Sequence, residues 1–516
     1  VSDETKRPTG FAAAAVLLAA SAVLSRLLGL VRERVIAYQI GATSQTDAYG
    51  AAFLIPDVLN YFLAGGALAI AFIPLYSSVR ARSGEDAAGA LFSNVLGTMS
   101  AVVVLATAVL WWQATPLVEF FFEGFDPDTQ RLTARLVRIL LPAQIFFVSG
   151  GVLRAALMAR GRFASQALGP LLYNLGIIFA GGFWGARFGA EAFAWGALVG
   201  AAVGPFAIPA IEVWLDRELR PRIRIAPLDP LVLQYLTMAA PIMLGVSLLT
   251  VDEWYDKYFG AGLAEGTVAY LGYGRRLAQV PVGVIGQAIA TAALPTLSRL
   301  WAAGDRAQLD AMLSNALRSG FGLGVLCAAG LFAFAHPVVV LIMQTGRFSA
   351  SDSVRVAGLL AIFAVAVPAW IVQQIAVRAF YARAQMWLPM LLGTSIAVAF
   401  IPLYIWLGTD AEGLATAGAI GMISSAFVTL ALARVHHGGP PLAPLANSAV
   451  RSIAIAAVAA VAGAWSGGWF SGAFATLAVG GAVFGVVAGI GVWLLGDAPL
   501  RATLLRAVKR LPGVAA

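Results

Sequence analysis

Two groups of charged side chains interrupt stretches that are otherwise apolar. The first holds Arg26, Arg32, Glu33, Arg34 and Asp47; the second holds Asp252, Glu253, Asp256, Lys257, Arg275 and Arg276. A charge at bilayer depth is costly, so it is read first as a functional group. About fifteen apolar residues precede Arg26, which places it roughly 20 Å along a helix. A side chain cannot snorkel that far, so Arg26 is expected to face a polar cavity. Arg276, between Ala269 and Pro281, carries the same expectation. Guanidinium groups drawn from both halves of the chain suit an anionic cargo, because they stay charged at depth and bind phosphate bidentately. Plainer readings stand beside these. Arg32 to Arg34 could mark the interfacial end of a first helix, and Asp47 could be an N-cap. Glu253 and Lys257, four residues apart, could pair on one helical face, leaving Asp256 as a candidate cation ligand.

Other chemistries find no support. His336, His436 and His437 have no metal-ligand spacing, and the last two precede a Gly438-Gly439-Pro440-Pro441 loop. The single cysteine, Cys327, excludes a disulfide framework and a multi-cysteine metal site. No GxxxxGK[ST] phosphate loop occurs, so ATP hydrolysis by this chain is not expected. The chain reads as no enzyme, with no resident cofactor. Energy for any transport would come from an ion gradient, the membrane potential or the substrate gradient.

The elements that must position these charges are membrane helices. Of the 516 residues, 60% are hydrophobic and 12% charged, and the mean hydropathy is +0.83. Soluble domains carry roughly 25% charged residues. Apolar stretches of about 20 residues recur from end to end, each long enough to cross a bilayer. The pattern predicts an all-α polytopic membrane protein with about fourteen spans. The first, over residues 11–40, reads as a retained helix rather than a signal peptide, since no convincing cleavage site follows. Pro56, Gly65, Gly66 and Pro74 are expected to break the second span, and Pro281 and Pro295 the eighth; such breaks point to cavity-lining segments. The net charge of +8 does not suggest nucleic acid, because the basic residues lie in short alternate loops. Arg80, Arg82, Arg160, Arg162, Arg217, Arg220, Arg299, Arg383 and Arg434 all fall on one side, which predicts that both termini are cytoplasmic. The basic tail from Pro499 to Leu511 is either an amphipathic helix at an anionic leaflet or a topogenic end.

The chain also repeats itself. Ala48-Tyr49 matches Ala269-Tyr270, Pro74 within Ala71 to Ser77 matches Pro295 within Ala292 to Ser298, and Pro116 matches Pro337. All three pairs share an offset of 221 residues. About six spans fit in one repeat, and an even number gives both halves the same orientation. The organisation predicted is two pseudo-symmetric six-helix lobes, residues 1–220 and 221–440, plus a C-terminal helix pair with its tail over 441–516. Duplicated transporters hold substrate between such halves and rock them for alternating access.

Several stretches carry a family resemblance. Ser25 to Glu33 (SRLLGLVRE), Thr46-Asp47-Ala48-Tyr49, Ala71-Phe72-Ile73-Pro74, Gly84 to Ala87, Gly274-Arg275-Arg276-Leu277, Leu294 to Ser298 and Gly346-Arg347-Phe348-Ser349 run in order over about twelve spans. Together they resemble the MurJ/MviN family, the lipid II flippases of the MOP exporter superfamily. The resemblance implies two six-helix lobes facing a cavity and a final helix pair grooved for a polyprenyl tail. It further implies export of an undecaprenyl-pyrophosphate-linked peptidoglycan precursor across the bacterial inner membrane. The implied partners are that lipid, membrane lipids and cell-wall synthesis proteins around a monomer. Carried over by position, the substrate-binding arginines fall on Arg26, Arg32 and Arg276, with Arg275 beside them and Asp47 as acidic partner. Asp256, with Asp252 nearby, falls where relatives have an aspartate linked to sodium. Leu54, Asn60, Gly65 and Gln385 depart from the family pattern; Gln385 bears on the sodium site and the others on the polar lining for a sugar-pyrophosphate head. The alternatives are a flippase for another polyprenyl-linked saccharide, a cation-coupled multidrug exporter, whose cavity should be acidic and aromatic, and a non-transporting lipid receptor.

Overall fold

A computed structural model describes residues 8–509, apart from 65–66, 217–218, 220, 223, 245–247, 384 and 386. Among the described residues every regular element is a helix. Eleven of the helical stretches are long and apolar enough to cross a membrane. One of these, Ser44–Trp112, contains Gly84 at φ 84°, a non-helical joint between two legs. With that second leg, the 33-residue helix Pro8–Ile40 and the helices Pro230–Leu244 and Leu248–Gly260, the architecture accommodates the expected spans. The chain is a multi-pass helical membrane protein.

A few helices start where the sequence supplies a side-chain cap. Asp126 accepts from the backbone N–H groups of Asp128 and Thr129 ahead of Pro127–Leu140. The Thr129 hydroxyl and these N–H groups hold the Asp126 carboxyl below its ordinary value. Ser349 and Asp352 form a capping box at the head of Ala350–Tyr381, and Asp410 caps Ala411–His437.

Prolines act differently from expectation. Pro74 sits inside the first leg of Ala67–Trp112, before the Gly84 joint, and Pro295 inside Gln287–Ala302. Pro281 instead closes Thr267–Pro281 and is followed by a π-helical turn, Val282–Gly286. A second π turn, Ala202–Ala207, surrounds Pro205. Proline removes one N–H and crowds the carbonyl four residues back, and a widened turn accommodates both effects. Gly65 and Gly66 lie outside the described residues.

The chain divides into two compact units, residues 1–244 with 345–348, and residues 245–344 with 349–516. In the first unit, Pro8–Ile40 packs along Ala164–Phe188, which packs in turn on Ala190–Ala201. That second interface is built from small residues: a Cβ on Gly176 would lie 2.7 Å from the Gly200 Cα. Without a hydrophobic driving force between helices in lipid, such close approach is what makes the contact favourable. The buried core gathers Phe72, Tyr76, Phe92 and Tyr235. Tyr235 belongs to Pro230–Leu244, so this helix, assigned by the repeat to the second lobe, packs within the first unit.

In the second unit Ala350–Tyr381 is the central helix, touching Arg306–Ala333, Ala411–His437 and Thr267–Pro281, with Phe363, Trp370 and Phe380 fully buried. The pair Leu442–Gly467 and Ala473–Leu495 packs together, and its first member lies on Arg306–Ala333. The terminal helix Ala498–Lys509 also packs on Arg306–Ala333. It buries Leu500 against Leu323, Leu326 and Leu504, so its apolar face is directed to protein.

Candidate functional site

In the first unit the charged residues form a supported cluster on the helix Pro8–Ile40. The Arg32 Nε and Nη2 donate to Glu33 Oε1 at 3.1 and 2.7 Å, and Nη1 donates to Asn174 Oδ1 at 3.2 Å. Glu33 is 2% exposed, whereas the Arg32 side chain keeps 22%. Asn174, from Ala164–Phe188, is itself fixed: its Nδ2 donates to the Pro170 carbonyl at 3.0 Å and lies 3.3 Å from the Ser25 hydroxyl. Arg32 is thus a partly exposed side chain whose guanidinium is held by one charged and one neutral acceptor. Its remaining N–H donor capacity suits an anion. Arg26 lies half-buried less than two turns earlier on the same helix.

Asp47 is 3% exposed in the first turn of Ser44–Ala52. The N-cap position of that helix is Thr43, whose side chain makes no capping hydrogen bond, so Asp47 lies inside the first turn and not at the cap. At the departure position Asn60, the side-chain amide donates to Gln144 Oε1 at 2.8 Å. Leu54 is buried, and Gly65 is outside the described residues.

In the second unit, Asp252 and Asp256 stand one turn apart on Leu248–Gly260 and meet Arg275 of Thr267–Pro281. Arg275 Nε donates to Asp256 Oδ2 at 2.8 Å, Nη2 is 2.5 Å from the same oxygen, and Nη1 pairs with Asp252 Oδ2. The Tyr404 hydroxyl donates to Asp252 Oδ1. The guanidinium lies over the Phe363 ring at 4.5 Å from its centroid. All three charged side chains are at most 5% exposed. Arg275 is therefore turned into the protein, and Asp256, which sequence spacing left over as a cation ligand, has a guanidinium partner. Glu253 and Lys257 pair on the same helix at 3.4 Å, as their spacing suggested. Arg276, the next residue, is half-buried; successive helical positions point about 100° apart, so the two arginines face different surroundings. Gln385 follows the central helix in a loop.

The family model for the lipid II flippase MurJ matches residues 36–482, spanning both units. The chain belongs to the MurJ lipid II flippase family. It is 29% identical to the lipid II flippase MurJ of Burkholderia cenocepacia over 73% of this chain and 74% of that protein. It is 26% identical to a probable lipid II flippase MurJ of Bdellovibrio bacteriovorus over 85% of each. Its fold is similar to a solved lipid II flippase MurJ in an inward closed conformation, with TM-score 0.77, 19% identity, and coverage of 93% of this chain and 99% of that one. A MATE multidrug transporter of the MOP superfamily, in an inward-facing conformation, superposes with TM-score 0.67 at 14% identity over 80% of this chain and 94% of that one.

Within this member of the MurJ family, the residues that sequence reasoning missed are Asn174, Ser25 and Tyr404. Each is neutral and sits in an apolar helix, so no cost of burial advertises it.

Proposed function

We propose that this chain moves lipid II, an undecaprenyl-pyrophosphate-linked peptidoglycan precursor, from the inner to the outer leaflet of the bacterial cytoplasmic membrane by alternating access. Membership of the MurJ family over residues 36–482 carries the reading. The sign of the charge at membrane depth agrees with it. Arg26, Arg32 and Arg276 supply guanidinium groups for the pyrophosphate, and Arg32 is already oriented by Glu33 and Asn174. Asp47 is assigned to positioning an arginine or gating its access. Arg275, engaged by two carboxylates, is given no contact with the cargo. Both termini lie on the cytoplasmic side, as the loop arginines require.

A cation-coupled multidrug exporter of the same superfamily would need an acidic, aromatic lining for its cargo. The buried carboxylates of the second unit are paired internally, which favours the anionic substrate. The test is complementation of a strain depleted of its own flippase. Arg26→Ala and Arg276→Ala are expected to abolish rescue while the proteins accumulate normally in the membrane; full growth with both changes combined would remove these residues from the mechanism.

A further inference from the structure

A dissociable cation, sodium above all, is the partner that the aspartates of Leu248–Gly260 would be expected to take. The donor set does not fit one. A hard cation is held by several oxygens directed at one point. Here Asp252 Oδ2 is engaged by Arg275 Nη1, Asp252 Oδ1 by the Tyr404 hydroxyl, and Asp256 Oδ2 by Arg275 Nε and Nη2. Asp256 Oδ1 is the carboxylate oxygen left without a hydrogen-bond partner. The guanidinium is a permanent positive charge that already occupies the position between the two carboxylates, and its repulsion of a second cation there opposes the attraction of the aspartates. Space is closed as well. A Cβ on Gly418 of Ala411–His437 would lie 2.6 Å from Asp252 Oδ1 and 3.3 Å from Arg275 Nη2, and Phe363 covers the guanidinium face.

We infer that Arg275 is a tethered cation: it takes the place of a dissociable ion between Asp252 and Asp256, so the second unit completes this buried site without binding sodium. Five helical segments converge on that charge. Leu248–Gly260 supplies the carboxylates, Thr267–Pro281 the guanidinium, Ile401–Leu407 the tyrosine hydroxyl, Ala350–Tyr381 the aromatic cover, and Ala411–His437 the glycine contact. The remaining ionic pair on the first of these, Glu253 with Lys257, is satisfied separately. A consequence is that transport by this chain does not draw on a sodium ion carried at this site. The inference concerns the cation and not the cargo, so its failure leaves the lipid assignment standing, and the converse holds too.

The purified full-length protein tests it through thermal unfolding in sodium, potassium or choline chloride at equal ionic strength. A ligand that binds only the folded state raises the midpoint in proportion to its saturation. The wild-type midpoint is expected to agree across the three salts to within about 1 °C. A saturable stabilisation specific to sodium, lost in Asp256→Asn, would overturn the inference. Arg275→Gln leaves the buried carboxylates without their cation, and its midpoint is expected to fall by about 5 °C or more in choline. Guanidinium ion at low concentration should restore a large part of that loss, and Arg275→Lys should remain insensitive to the salt. A loss that neither guanidinium nor sodium relieves would also overturn it, since the side chain would then act by shape and not by charge. If Arg275→Gln cannot be recovered from the membrane, the wild-type comparison decides alone.

Discussion

Arg32 is held in place by the side chains around it. A guanidinium on a flexible stem pays rotamer entropy on binding, and fixing it beforehand removes part of that cost. Glu33 and Asn174 do so from two helices, and Asn174 is held by Pro170 and Ser25. Asn174→Ala should therefore lower transport while leaving the protein folded, because a hydrogen bond to a charged group contributes about 1.5–3 kcal/mol. The expected loss is about tenfold in rate, read in vesicles with the substrate lipid; an unchanged rate would show that Asn174 is a packing residue. Arg26 and Arg276 are singled out in the sequence because charge at depth is expensive, and Arg32 by the family resemblance. Asn174 is not, since it lies 142 residues from Arg32 and only tertiary packing joins them. The two aspartates of the second unit read as a candidate cation site in the sequence. Their partner was visible as a residue but not as a partner, because i,i+4 spacing says nothing about a neighbouring helix.

Helices in this chain meet through small residues and end through polar ones. The contact between Ala164–Phe188 and Ala190–Ala201 depends on Gly176, Gly196 and Gly200, whose backbones nearly touch. Gly176→Val should separate them and cost about 1–3 kcal/mol by overpacking, measured as a lower midpoint of thermal unfolding. At the other end of the chain, Asp497 Oδ1 accepts from the Leu500 N–H at 3.0 Å and Oδ2 accepts from Arg318 at 2.8 Å. Asp497→Ala removes a cap and an ion pair together, and should loosen Ala498–Lys509 at a cost of about 1–2 kcal/mol. Faster backbone hydrogen exchange confined to this helix is the expected sign. An amphipathic helix is one of two sequence readings of the tail, the other being a topogenic basic end. That its apolar face meets Leu323 and Leu326 was not legible, because an apolar stripe does not declare whether lipid or protein covers it. Prolines were misjudged for a similar reason: each removes a hydrogen bond, but whether the helix breaks, bends or widens is decided by its neighbours.

At the scale of the whole molecule, hydrophobic length and low charge fixed the class, and a helical membrane protein followed with little freedom, since the bilayer leaves few alternatives for the backbone. The shared offset of 221 residues identified the duplication. The halves nevertheless spend their buried charge differently: the first unit leaves Arg32 partly open, and the second closes Arg275 between carboxylates. The central claim is that Arg26, Arg32 and Arg276 serve an anionic lipid. Its most direct measurement is the leaflet-to-leaflet movement of labelled lipid II in vesicles containing the purified protein, compared with Arg32→Ala and Arg276→Ala. Rapid movement by the wild type and a loss of about tenfold or more in each variant, with normal insertion, is the predicted result. Movement that persists unchanged without these arginines, or a wild-type protein that binds the lipid and never moves it, would contradict the account.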